Sequence, residues 1–218
     1  MLAETPLTGV ETMSIAIIGL GNMGKGLAKR LSGKAELVLA ARDEALAKSL
    51  AAELGVKSAS ISDAIATAEI VVLAVPYASA LELAKLPALT GKIIVDISNP
   101  VKPDFSGLLI GHNTSAAEEI QKLAAGAKVV KAYNTIFAQL FDVSPAATAK
   151  VPVFVAGNDE AAVDRVAELV TLSGFAVEKT GGLDAAKLVE PVGMLNIRLG
   201  YGLGRGTAIA PTWTAVAA

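Results

Sequence analysis

The sequence predicts an α/β fold, a doubly wound and mostly parallel sheet with a small helical appendage at its C-terminal end. Short β-branched runs alternate with helix-like stretches as far as about residue 180, the pattern of a parallel sheet flanked by helices. The strongest runs, within "EIVVLAVP" and "GKIIVDISNP", are continuously apolar, as strands buried on both faces are. A G-x-G-x-x-G pattern also stands where the first strand should turn into the first helix.

Residues 15 to 18 read as the first strand, and a helix begins near Asn22 with Met23, Leu27 and Leu31 on one face. A second strand, "ELVLA", occupies 36 to 40, and a helix with acidic residues in its first turn follows over 43 to 54. "VKSAS" offers a short third strand. Residues 69 to 76 form a strand stopped by Pro76, and 91 to 100 another stopped by Pro100. After a loop come the helix "TSAAEEIQKLAAG", a strand over 128 to 131 and the strand "VPVFVAG" at 151 to 157. The next helix is capped by Asn158 or Asp159 and stopped by Gly174. "FAVEKT" adds a last strand. From residue 191 onward the only charged side chains are Arg198 and Arg205, so a helix there needs cover on most sides. That cover is either the body of the sheet or a second subunit.

Composition narrows the chemistry. Of the 218 residues, 53% are hydrophobic and 18% charged, which excludes a disordered class. Aromatic content is 4%, so Ala, Val, Leu and Ile must fill the core. The formal net charge of −2 gives no reason to expect a nucleic-acid partner or an acidic membrane surface. The sequence has no cysteine and a single histidine, His112. Disulfides, thiol nucleophiles and multi-histidine metal sites are thereby excluded, and no metal is expected. Any catalysis is then expected to rest on a cofactor. No apolar stretch reaches the length of a membrane span, and the first residues lack the order of a signal peptide. The expectation is a cytoplasmic protein. Residues 1 to 13 read as an extension, with Met13 a candidate natural start. Residues 14 to 180 read as the nucleotide-binding domain, and 181 to 218 as a C-terminal helical segment at a substrate cleft or dimer contact.

Gly19-Leu20-Gly21-Asn22-Met23-Gly24 meets the needs of a dinucleotide cradle in a Rossmann-type domain. Gly19 supplies a tight turn, Gly21 lets the backbone approach a pyrophosphate, and Gly24 permits close packing of helix on strand. The free N–H groups and positive dipole end of the helix would face the phosphates. A purely structural turn is the competing reading. In NAD-binding versions a carboxylate about 20 residues on takes the ribose hydroxyls. Here the second strand ends Ala40-Ala41-Arg42, with no acid at its tip. Two small residues leave room for a 2′-phosphate, and the Arg42 guanidinium can grip it. NADP is therefore favoured over NAD. Asp43 either pairs with Arg42 or caps the next helix, and "RDEALAKSL" favours the cap.

"IAIIGLGNMGKGLAKRL", "VLAARD", "EIVVLAVPY", "KVVKAYNTIFA", "VPVFVAGNDEAAVDRVAELV" and "GGLDAAKLVEPVGMLNIRLGYG" occur in the order of the coenzyme F420-dependent NADP oxidoreductase family, which this chain resembles. The same signatures are similar to the cytoplasmic reductase domain of the STEAP metalloreductases. The resemblance implies an NADPH-binding Rossmann domain with a small C-terminal helical appendage, used in homodimers. It implies that Leu20 to Met23 contact the pyrophosphate, and that Ala41 and Arg42 meet the 2′-phosphate. By the same resemblance Val75, Pro76 and Tyr77 lie along the nicotinamide ribose. Asn134, Thr135 and Ile136 lie where the nicotinamide meets its hydride partner, Asn134 and Thr135 acting by positioning alone. Family members commonly carry Ser where this chain has Ala41, which removes one hydroxyl donor to the phosphate. "GNMG" also resembles pyrroline-5-carboxylate reductase, whose helical dimerisation domain is much longer than the roughly 40 residues left after Thr180.

Asn134 follows a buried strand at the sheet edge where open α/β proteins bind ligands. Its amide can hold a nicotinamide carboxamide or a substrate carbonyl, or only tie its own loop. Asn99, at the tip of the fifth strand, stands in the same position. Tyr77 is a stacking surface, a proton donor or a wall, and Asp96 a loop cap. His112 reads as a solvated loop residue, and Lys25, Lys29 and Arg30 as a solvated basic helix face. Glu190 and Pro191 read as a kink in the C-terminal helix. The function expected is hydride transfer between NADPH and a small-molecule electron acceptor, a deazaflavin (F420) or a flavin, because no acid/base constellation is evident. The alternatives are an NADPH-binding sensor or reductase subunit without its own substrate, and a pyrroline-5-carboxylate-type imine reductase.

Overall fold

The computed structural model describes residues 12–214 and Val216. The expected N-terminal extension thus falls, over residues 1–11, outside the described residues. The chain builds β1 (Ser14–Ile18), α1 (Asn22–Leu31), β2 (Glu36–Ala40), α2 (Glu44–Leu54), β3 (Lys57–Ser58) and α3 (Ile61–Thr67). Next come β4 (Ile70–Leu73), α4 (Tyr77–Ala84), β5 (Ile93–Asp96), α5 (Ala116–Leu123), β6 (Lys128–Lys131) and α6 (Pro145–Thr148). The last elements are β7 (Pro152–Gly157), α7 (Glu160–Leu172), β8 (Ala176–Gly181) and α8 (Ala186–Ile197), the last running into a wider turn over Arg198–Gly202. The sheet order is β3-β2-β1-β4-β5-β6-β7-β8. Neighbours are parallel except for β6 with β7. This is the expected doubly wound, mostly parallel sheet.

Alternation along β1 divides the core into two layers. Ile15 and Ile17 pack with Leu27 and Leu31 of α1, Leu50 of α2 and Val166 of α7. Ala16 and Ile18 face the other way, onto Ile65 of α3, Ala80 and Ala84 of α4 and Ile120 of α5. Alanine on that second side lets short helices approach the sheet closely. Between β1 and β4 the chain reverses its direction of winding, so the crevice at their carboxyl ends is where such sheets bind ligands.

The structure departs from the sequence reading at several points. The fourth strand stops at Leu73, and Pro76 caps α4 instead of ending a strand. Helices α3 and α4 were not foreseen, since both are short and Ala-rich; Ser60 caps α3 by accepting from the Asp63 N–H at 3.2 Å. Arg30 does not join Lys25 and Lys29 on a solvated face. It is buried, donating to the carbonyls of Phe141 at 2.7 Å, Leu140 at 2.9 Å and Ser173 at 3.2 Å. Its guanidinium also lies over the Phe175 ring, 5.5 Å from the centroid. Five N–H donors need distant carbonyls to be buried without penalty, and residues 140–143 and 173 supply them. Pro191, in contrast, lies inside α8 as the sequence reading placed it, within the C-terminal helical segment. No helix among the described residues is long and apolar enough to cross a membrane.

Candidate functional site

The glycine loop is built from three different constraints. Gly19 has φ of +99° and donates its N–H to the Ala40 carbonyl at 2.9 Å; a Cβ there would lie 2.4 Å from the Ala74 carbonyl oxygen. A Cβ on Gly24 would sit 1.9 Å from the Gly19 oxygen, so this glycine lets α1 close onto the turn. Gly21 differs: its backbone is extended, and an added Cβ meets no atom within 4 Å. Open space in front of Gly21 is a cradle that a side chain would fill and a pyrophosphate would use. Gly21 caps α1 with no side-chain hydrogen bond, and the first turn holds no acidic residue, so its N–H groups stay available to an anion.

A cleft of about 780 Å³ opens from this loop toward the tip of β2, lined among others by Gly19, Gly21, Ala41, Arg42, Val75 and Pro76. Leu20 contributes to its edge while its side chain is buried in the core. Arg42 is exposed at the rim. Asp43 caps α2, its carboxylate accepting from the Leu46 N–H at 3.0 Å, and Arg42 makes no ion pair among the described residues. A free guanidinium beside the small Ala41 fits a 2′-phosphate. Ser79 and Glu82 of α4 also border the cleft; with α4 unforeseen, sequence reasoning missed both.

On the other side of Asn22 and Met23 lies a recess of about 260 Å³, with Asn99, Asn134, Thr135 and Asn196 in its wall. Tyr133 shapes it. Its backbone has φ of +60°, a conformation that costs a non-glycine residue about 1–3 kcal/mol unless its surroundings enforce it. They do so here: the buried ring stands edge-on to Phe175 at 6.5 Å, and its hydroxyl pairs with the Ser173 hydroxyl at 3.0 Å. The turn so fixed presents Asn134 and Thr135. The Asn99 Nδ2 donates to the Asn134 carbonyl at 2.7 Å, and the Asn134 Nδ2 donates to Asn99 Oδ1 at 3.0 Å and to the Val189 carbonyl at 3.1 Å. From α8, Asn196 Nδ2 donates to the Thr135 carbonyl at 3.0 Å. Asn134 Oδ1 and Thr135 Oγ1 remain buried without partners among the described residues. Unpaired buried polar atoms beside a recess suit a polar ring substituent such as a carboxamide.

Beneath the asparagines is an ion cluster. Lys131, fully buried at the end of β6, meets Asp96 at 2.8 Å and Glu190 at 2.9 Å. Glu190 also accepts from the Ala116 N–H at 3.0 Å and, at 3.3 Å, from that of Ala117, the first residues of α5. Burial alone favours the neutral amine, but Asp96 and Glu190 outweigh it and hold Lys131 above its ordinary range. Asp96 is thus an ion-pair partner as well as a loop cap, accepting from the Ser98 N–H at 2.9 Å. Asn99, Asn134 and Gly193 each follow a member of this cluster by three residues, so the cluster ties β5, β6 and α8 together directly under the recess. The sequence signal for it was charge in otherwise apolar runs, "IIVDI", "KVVK" and "LVEPVG".

The expected residues divide accordingly. Gly19, Leu20, Gly21, Ala41, Arg42, Val75 and Pro76 meet at the cleft, while Asn22, Met23, Asn99, Asn134 and Thr135 meet at the recess, with Gly24 behind the loop. Tyr77 lines neither; burial, then Glu119, Glu190 and Asp96, push its phenol up, so it stays protonated. His112 is exposed in the loop before α5.

Comparison with known proteins agrees with this geometry. A family described as NADP oxidoreductase, coenzyme F420-dependent, matches residues 14–100. The F420-dependent NADP reductase of Methanocaldococcus jannaschii is 31% identical, over 92% of this chain and 98% of that one. Metalloreductase STEAP3 of Rattus norvegicus is 30% identical over 88% of this chain, which spans only 38% of that protein's length. A solved structure from Arthrobacter sp. FB24 superposes with a TM-score of 0.78 at 33% identity, covering 89% of this chain and 96% of that one. Identity at this level, held over nearly the whole length of a reductase of the same size, shows that the chain belongs to the F420-dependent NADP oxidoreductase family.

Proposed function

We propose that this protein is an NADP-dependent oxidoreductase whose acceptor is a deazaflavin of the F420 class. The observation that carries the reading is a cleft that holds the unpaired Arg42 and the open Gly21, with a second recess across Asn22 and Met23 that holds the Asn99–Asn134 pair. When bound, the nicotinamide of NADPH supplies the hydride. The chain's own residues bind and orient. The N–H groups opening α1 hold the pyrophosphate, Gly21 keeps the approach clear, and Arg42 pairs with the 2′-phosphate. Val75 and Pro76 form an apolar wall beside the ribose. Asn134 and Thr135 orient the ring by positioning, while Met23, Ile136 and Phe137 keep water from the recess. The titratable side chains lining that recess are Tyr133 and Tyr201, and Tyr133 is engaged with Ser173. A carbonyl or imine substrate wants a placed proton donor; a redox-active ring does not, which supports the deazaflavin.

Residues 14–180 hold the nucleotide in this reading, and 181–218 close the acceptor side and meet a second copy. A cytoplasmic homodimer without a nucleic-acid partner belongs to the same proposal, supported by the net charge of −2 and by the exposed Leu188, Leu195 and Trp213.

The test is to titrate NADPH by fluorescence, then add F420, FMN or 1-pyrroline-5-carboxylate and follow nicotinamide absorbance. Turnover with F420 is expected. Tight NADPH binding without turnover on F420 would overturn the acceptor assignment in favour of a sensor or subunit role, and turnover of the imine alone would make it an imine reductase. Arg42→Ala should weaken NADPH roughly 10- to 100-fold, the value of one charge-assisted hydrogen bond or two, and leave NADH nearly unchanged. Equal losses for both would remove Arg42 as the phosphate ligand.

A further inference from the structure

Lys25 and Lys29 stand one turn apart on α1, and residues at that spacing share a helix face. Lys25 is half-buried and Lys29 exposed. With Asn22, Ala138, Gln139 and Asp142 they line a groove of about 240 Å³ between α1 and the segment Ala138–Asp142. Packing builds this groove. A Cβ on Gly26 would stand 2.6 Å from the Phe141 ring, so glycine lets the segment lie close along the helix. Arg30 holds it there, donating to the carbonyls of Phe141 at 2.7 Å and Leu140 at 2.9 Å. Neither lysine makes an ion pair among the described residues, and neither does Asp142, the carboxylate of the groove wall. Asp142 faces the buried Arg30 as well: burial pulls that guanidinium down, and the Asp142 charge works against the pull. Its charge is thus shared with Arg30, and the groove keeps an excess of positive charge.

Asn22 and Ala138 line both this groove and the recess that holds the Asn99–Asn134 pair. A ligand whose ring enters the recess can therefore carry a side chain past Asn22 into the groove. A deazaflavin of the F420 class bears a phosphate and glutamyl carboxylates on such a side chain, beyond its ribityl carbons. We infer that Lys25 and Lys29 form a subsite for the phosphate and carboxylates of the acceptor's side chain, an assignment that rests on the acceptor reading above. Ammonium groups bind such oxygens through charge-assisted hydrogen bonds. The subsite distinguishes an acceptor with an anionic side chain from the same ring without one. The pyrophosphate of NADPH is a separate anion, since neither lysine lines the cleft at Gly21.

The experiment measures binding without turnover. Protein saturated with NADP⁺, which cannot reduce a deazaflavin, is titrated with oxidised F420 and with the corresponding 8-hydroxy-5-deazariboflavin. The second ligand keeps the ring and ribityl chain and lacks the phosphate and glutamates; each is followed by its own fluorescence. The wild-type protein should bind F420 at least about tenfold more tightly, the value of one charge-assisted hydrogen bond, and the advantage should shrink as salt is raised. In the double variant Lys25→Gln with Lys29→Gln the advantage should fall toward one, with affinity for the shorter ligand and for NADPH unchanged. Equal affinity of the two ligands for the wild-type protein overturns the inference and leaves the acceptor reading standing. An undiminished advantage in the double variant overturns it too. A parallel loss of NADPH affinity there would assign the lysines to the pyrophosphate, with the same result. Failure of both deazaflavins to bind the wild-type protein overturns the acceptor reading itself, and the inference with it.

Discussion

Gly21 and Gly24 stand three positions apart in one motif and do opposite work. Nothing lies within 4 Å of a Cβ at Gly21, whereas one at Gly24 would strike the Gly19 oxygen at 1.9 Å. Gly21→Val should therefore fold with an unchanged thermal midpoint while losing NADPH affinity on the order of a hundredfold, because its side chain occupies the pyrophosphate's approach. Gly24→Ala should lower the midpoint itself. Calorimetry with fluorescence titration separates the two, and an unchanged affinity in Gly21→Val would refute the cradle. Gly24 is legible in the sequence because its constraint, the Gly19 oxygen, lies within the same motif. Arg30 is not, because its basic neighbours suggest solvent while its partners lie on the segment around Phe141 and at Ser173.

At the scale of elements, the Lys131 cluster joins β5, β6, α5 and α8. Removing one member of a buried ion cluster leaves uncompensated charge, at a cost of about 3–5 kcal/mol. Lys131→Met should be destabilised by that much at neutral pH. Burial already pushes the Glu190 carboxyl up, and without the ammonium it climbs further. The folded variant then binds more protons than the unfolded chain, so its stability falls as pH rises from the ordinary carboxylate range toward neutrality. Its deficit against wild type should shrink on acidification toward about pH 5. Urea midpoints across that range provide the check, and a deficit independent of pH would show that the carboxylates do not carry the effect. Strands and long helices of this architecture are readable from apolar runs. The seven-residue α3 and eight-residue α4 are not, because their alanines give no periodic contrast and their burial depends on the sheet beneath them.

For the whole molecule, the exposed apolar surface of α8 bears on assembly. Leu188 is 73% exposed, Leu195 55% and Trp213 71%, whereas Asn196 and Gly193 on the same helix are buried against the recess. One face of α8 thus lines the recess, and another is apolar and exposed. The wild-type protein is expected to run as a dimer in light scattering, and Leu188→Arg with Leu195→Arg as a monomer that still binds NADPH. A monomeric wild-type protein would sink the homodimer.

The sequence by itself determined the sheet, the glycine turn between β1 and α1, and a β2 tip that carries Arg42 and no carboxylate. These follow from periodicity and from residues within one turn of each other. The tertiary structure decided that Asp43 caps α2 and leaves Arg42 free, that Arg30 is buried, and that the Asn134 amide is held by donation to Asn99 and Val189. Each of the last two depends on carbonyls brought in from distant segments, and the direction of a hydrogen bond is set by such partners rather than by the residue that makes it.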